Sequence, residues 1–147
     1  MSLKDQLNES MKTAMKARDN LRLSAVRMVR STIKNREIDS KVELDDQGII
    51  EVISTLVKQR RESIRMYREG NRPDLVEKEE SELAILQEFL PAQLSAAEIS
   101  ALIDRAIAET GAQSARDMGK VMKVLAPLTA GKADGKTVSD AVKQKLT

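Results

Sequence analysis

Apolar residues recur at every third or fourth position from Leu3 almost to Leu146, and no stretch alternates apolar with polar for long. Spacings of three and four line one face of a helix, whereas a half-buried strand needs period two, so the chain is expected to be all-α without a sheet. Capping residues and turn formers divide this pattern into helices. Ser2 with Asp5 resembles a capping box, with Asp where Glu is usual, and Leu3, Leu7, Met11 and Met15 follow as a first helix. A start at Asp19 or Asn20 leads into Leu21, Ala25, Val29 and Ile33 on one face of a second. After a polar connector from Asp39 to Asp45, residues Ile49, Ile53, Leu56, Ile64 and Tyr67 mark a long third helix stopped at Gly70. Pro73 suits the first turn of a fourth, with Val76, Leu83, Leu86 and Leu90 on its apolar face and Pro91 at its end. The short loop between the third and fourth makes them an antiparallel pair.

The clearest punctuation is Leu94-Ser95-Ala96-Ala97-Glu98-Ile99, which offers a Ser95/Glu98 capping box together with a Leu94 to Ile99 hydrophobic staple. A domain boundary is placed there, giving four helices in residues 1–90 and a three-helix bundle in residues 91–147. The fifth helix should run to about Glu109 and stop at Gly111. Ser114 with Asp117 should start the sixth, carrying Met118, Val121, Met122 and Leu125 up to Pro127. A turn from Gly131 to Gly135 then precedes a last helix with Val138, Ala141, Val142 and Leu146, capped by Asp134 or Thr137. So short a C-terminal piece has a marginal core by surface-to-volume reasoning, and motion relative to the first domain is expected.

Composition removes much chemistry. Cys and His are both absent, which excludes disulfides, thiolate catalysis and the commonest general base and metal ligand. The acidic residues form no convincing acid/base pair or metal cluster, Asp45-Asp46 reads better as an N-cap, and no G-x-S-x-G elbow occurs. No catalytic residue, metal or cofactor is therefore expected. No uncharged stretch approaches the ~20 residues needed to span a bilayer, and residues 1–18 lack a signal-peptide apolar region, so a cytoplasmic location without a membrane partner is expected. With Tyr67 and Phe89 the only aromatics, the core must be aliphatic, and stacking platforms for unpaired bases are almost absent.

The charge is polarised although its sum is only +2. Residues 12–36 hold eight Lys or Arg against Asp19 alone, and residues 111–147 hold seven against three acids, with the counterweight mainly between Asp39 and Glu88. Lys58, Arg61, Arg65 and Arg68 form one stripe along the third helix, as Arg27, Arg30 and Lys34 do on the second, and such stripes either track phosphates or simply face water. Arg60 falls instead within the apolar arc of its helix. Its counterpart is Glu79 among Val76, Leu83 and Leu86, and the antiparallel hairpin predicts an Arg60–Glu79 ion pair that fixes register, because a lone buried charge is costly. Gly131-Lys132-Ala133-Asp134-Gly135-Lys136-Thr137 has three residues between its glycines instead of four and no preceding strand, so it is not a P-loop. From spacing alone it is either a solvated turn or one that brings backbone N–H groups, Lys132 and Lys136 to a phosphate at the start of the last helix.

Four ordered segments carry a wider resemblance: Leu21-Arg22-Leu23 through Asn35-Arg36-Glu37-Ile38; Lys58-Gln59-Arg60-Arg61-Glu62-Ser63; Leu86-Gln87-Glu88-Phe89-Leu90-Pro91 with Gln93-Leu94; and Met118-Gly119-Lys120-Val121-Met122-Lys123 with the Gly131–Lys136 turn. Nearly end to end, the chain resembles a stand-alone member of the GatB/YqeY family. Domains of this type are similar to the C-terminal part of the GatB component of the glutamine-dependent aspartyl/glutamyl-tRNA amidotransferase, and are also appended to some glutaminyl-tRNA synthetases. The resemblance implies a tRNA-contacting tail of two helical subdomains, and a family label of carbon-nitrogen ligase with glutamine as amide donor, whose chemistry lies in regions absent here. The tail signature of the family falls on Gly119, Lys120, Lys123, Gly131, Lys132, Ala133 and Val138. Asp134-Gly135 stands where some tails have Asn-Pro.

The expected function is thus a tRNA-binding accessory protein with no chemistry of its own. Lys120, Lys123, Gly131, Lys132, Gly135 and Lys136 would form its phosphate-contacting set, and the stripe on the third helix a second surface. The alternative is a module that docks on an aminoacyl-tRNA synthetase or amidotransferase without touching RNA.

Overall fold

A computed structural model describes all residues, Met1–Thr147. It contains seven α-helices and no strand: α1 Leu3–Ala17, α2 Asn20–Ser40, α3 Asp46–Glu69, α4 Pro73–Gln87, α5 Ala96–Thr110, α6 Met118–Thr129 and α7 Gly135–Leu146, with a single 3₁₀ turn at Ala115–Asp117 before α6. The protein is all-α. It divides into two compact units, Met1–Leu90 and Pro91–Thr147.

Local chemistry explains where the helices begin. Ser2 accepts from the Asp5 amide, Asp19 from Arg22, Asp45 from Gly48 and Asp134 from Thr137, each satisfying a first-turn donor that has no partner inside the helix. At α5 both halves of the expected capping box form, Ser95 accepting from the Glu98 amide and Glu98 accepting from that of Ser95. The ends are less regular. Arg18, Lys41 and Gly111 close α1, α2 and α5 in the left-handed conformation, whereas α3 closes at Gly70 with φ −80° and passes the positive φ to Asn71.

Three expected helix boundaries are corrected. α4 stops at Gln87 instead of running to Pro91, because Glu88, Phe89 and Leu90 donate to carbonyls three residues back and tighten the chain before the proline arrives. α6 passes through Pro127 to Thr129. The proline removes one backbone bond within the last turn, at an exposed position, and that is where a helix tolerates it best. Nor does Ser114 cap α6: the Asp117 carboxylate accepts from the Gln113 amide at 3.0 Å instead.

In the first unit, Val26, Val29 and Ile33 of α2 meet Ile49, Val52 and Ile53 of α3, with Leu3 and Leu7 of α1 and Leu86 of α4 closing the cluster. α4 presents Glu82, Ile85 and Leu86 to the interior, while Val76, Leu83 and Leu90, expected there, are only half-buried. The second unit has a smaller aliphatic core built on Ile103, Val121, Leu125, Val138 and Val142. Both aromatic residues lie in the first unit, Phe89 against the core and Tyr67 half-buried on α3.

Candidate nucleic-acid interface

A cation can meet an external phosphate only if the fold leaves it without a carboxylate. Along α3 that condition largely fails. Arg65 lies between Glu62 and Glu69, 2.9 Å from the latter, Arg68 bonds Glu80 across the hairpin, and Arg61 is also engaged. Lys58 alone of that stripe is exposed without an ion pair. The stripe read from sequence as a second phosphate-tracking surface is therefore mostly neutralised by the acids of its own hairpin.

Arg60 is a different case. Its Nη1 lies 3.2 Å from Glu79 Oε2, and its Nε lies 3.1 Å from Glu82 Oε2. One guanidinium thus serves two carboxylates, all three groups largely screened from water. Neither Nε nor Glu79 Oε2 makes an aligned hydrogen bond, so attraction between charges holds the cluster, with Nη2 donating to the Met28 sulfur. Glu82 escaped the sequence reading, although its place three residues after Glu79 puts it on the same face.

In the second unit the expected residues stand in the open. Lys120 and Lys123 project from the outer side of α6, Lys132 from the turn and Lys136 from the first turn of α7, all exposed. Only Lys120 has a carboxylate near, Asp117 at 3.8 Å, and that acid already accepts from Gln113, which holds its carboxyl below the usual range. These lysines do not converge on one point. α6 rises about 18 Å over its twelve residues, so Lys120 near its start and Lys132 beyond its end sample a track, not a pocket. Lys145 does not join them, since its ammonium bonds Ser100 and Asp104 at 2.6 Å each and ties α7 to α5.

The Gly131–Lys136 turn is tied internally. The Lys132 and Ala133 amides donate to the Thr129 carbonyl, the Lys132 carbonyl accepts from Leu94, and the Gly131 carbonyl accepts from Gln93. Gly131 takes φ 73°, a conformation that explains glycine there. At the start of α7 the Asp134 carboxylate accepts from the amide and hydroxyl of Thr137. A carboxylate of the chain itself thus occupies the position that an incoming phosphate would favour. Gly119 and Gly135 need no such φ, and a Cβ at either would meet nothing within 4 Å.

Sequence reading gave less weight to the cations of α2. Arg22 is held in a bidentate pair by Glu88, but Arg27, Arg30 and Lys34 have no carboxylate partner. Both the eight-to-one excess of cations in residues 12–36 and the stripe of Arg27, Arg30 and Lys34 were legible in the sequence, which left open whether the stripe tracks phosphates or faces water.

The Yqey-like protein family matches residues 4–146. Among curated proteins, the chain is 38% identical over 123 residues to the altered inheritance of mitochondria protein 41, mitochondrial, of Kluyveromyces lactis, covering 78% of this chain and 66% of that protein. The protein of the same name from Lachancea thermotolerans is 41% identical over 107 residues, covering 70% and 57% respectively. That from Vanderwaltozyma polyspora is 42% identical over 85 residues, covering 57% and 46%. The chain thus spans roughly half to two thirds of the length of these relatives. Their names overturn the cytoplasmic location expected from the sequence. That expectation rested on the lack of an apolar span and, although no helix here is long and apolar enough to cross a membrane, such a lack does not distinguish one aqueous compartment from another. With all but a few terminal residues matched, the chain belongs to the Yqey-like protein family.

Proposed function

We propose that the protein is a tRNA-binding accessory factor related to tRNA-dependent amidotransferases, acting through the lysines of its second unit and carrying out no bond chemistry itself. The observation that carries this reading is selective availability. Lys123, Lys132 and Lys136 stand exposed without ion-pair partners, and Lys120 has only a loose one, while arginines of α3 and the turn before α4 are held by neighbouring acids. Folded RNA is read largely by shape, phosphate and 2′-hydroxyl, so spaced ammonium groups on a rigid helical frame suffice without aromatics.

Electrostatic binding of this kind weakens steeply with salt. Lys132→Ala with Lys136→Ala should weaken binding of unfractionated tRNA and flatten the salt slope by up to about two units in filter-binding titrations. An affinity equal to that of the unaltered chain would remove the assignment of these residues. The rival reading, docking on a synthetase or amidotransferase without RNA contact, predicts partners that survive ribonuclease treatment in a pull-down.

A further inference from the structure

A groove of about 460 Å³ opens between α1 and α2 of the first unit. Arg27, Arg30, Ser31 and Lys34 line its α2 side, and Lys4 and Asn8 its α1 side. The three α2 cations sit at i, i+3 and i+7, so they follow one face over a rise of about 10 Å. All three are exposed and none is ion-paired. The one acid of the groove, Glu37, is already consumed: a single carboxylate oxygen accepts from Lys4 at 2.6 Å and from the Leu44 amide at 2.7 Å. The groove therefore offers the guanidinium groups of Arg27 and Arg30, the latter with Nη1 on the Met11 sulfur at 2.8 Å, and the Lys34 ammonium, with an amide and a hydroxyl beside them and no negative charge left to satisfy them.

We propose that the α1–α2 groove binds successive backbone phosphates of RNA, as a contact separate from the lysines of the second unit. This proposal rests on the RNA-binding reading. Guanidinium groups match phosphate oxygens in bidentate geometry, and cations in file along a groove suit a repeating anion better than a single one. An acidic polypeptide would carry apolar side chains that need exposed apolar surface. The apolar side chains of this groove, Leu7 and Ile33, are sealed at 1% and 5% exposure, so the apolar surface it still shows lies mainly on the stems of its cationic side chains.

The test titrates the full chain with labelled unfractionated tRNA at several salt concentrations, comparing it with R27Q/R30Q/K34Q and with K132A/K136A. The triple variant should bind at least about tenfold more weakly, with a salt slope lower by up to about three units, and R27K/R30K should keep the slope. These side chains are exposed, so melting followed by circular dichroism should not change. A single charge reversal, Lys34→Glu, gives the same reading with less perturbation. If the unaltered chain binds tRNA and both groove variants bind equally well, the groove proposal fails and the RNA-binding reading stands. If the unaltered chain binds no tRNA, the reading falls and takes the groove with it. Poly-glutamate that binds, and is lost in the triple variant while tRNA is not, would reassign the groove to an acidic polypeptide and overturn the proposal.

Discussion

Arg60 shows how much can rest on one side chain. Because it faces both Glu79 and Glu82, its removal leaves two carboxylates in a largely dry site. Arg60→Leu should destabilise the first unit by about 3 kcal/mol in urea titrations, and adding Glu79→Gln and Glu82→Gln should recover most of the loss. Recovery separates an electrostatic cause from a packing one. Gly119 makes the opposite point. It sits in the first turn of α6 without a positive φ, and the space around it is open, so neither conformation nor packing requires glycine. Gly119→Ala should raise stability by about 0.5–1 kcal/mol, read from the urea midpoint.

At the scale of elements, pairs that join helices set the response to pH and to anions. The Lys4 hydrogen bond, then that from the Leu44 amide, hold the Glu37 carboxyl below its ordinary 4.5 and tie the start of α1 to the end of α2 and to the connector after it. A carboxyl depressed in the folded state adds stability above its unfolded value, and that contribution is lost as pH falls through the lower folded one. Glu37→Gln should therefore flatten the acid limb of the stability profile below about pH 4.5, measured by thermal melts across pH. The cap of α7 gives a cleaner separation. Asp134→Asn keeps an oxygen to receive the Thr137 amide but removes the charge at the helix start. It should leave the melting temperature nearly unchanged and tighten tRNA binding, whereas Asp134→Ala should cost about 1 kcal/mol of stability as well. Most helix starts were legible in the sequence for this reason: Ser2, Asp19, Asp45 and Ser95 act on donors three residues away, whereas Ser114 does not. Of the ends, Gly70 and Gly111 were legible as stops, whereas the close of α4 depends on three-residue backbone bonds before Pro91, and the survival of α6 past Pro127 depends on an exposed last turn.

The whole molecule separates what sequence can say about charge from what it cannot. Where cations outnumber acids locally, as in residues 12–36, the excess survives folding as Arg27, Arg30 and Lys34. Where the two signs mix, as in α3, only the hairpin register decides that Arg68 finds Glu80, and spacing within one helix carries no record of it. The all-α class follows from periodicity alone, but the free cationic surface does not. The two units also differ in core size, the second relying on a few aliphatic side chains around Ile103, Val121 and Val142. Amide exchange should therefore show α5, α6 and α7 opening at lower free energy than α2 and α3, and equal protection would contradict that inequality.

The confinement of Tyr67 and Phe89 to one unit decides how this protein can be observed. Ultraviolet emission comes from a lone phenol on α3, so an optical titration watches that half and is blind to events at Lys132 or Lys136. Placing an indole at Leu128, 45% exposed on the last turn of α6, would light the silent half and let each be followed by its own colour.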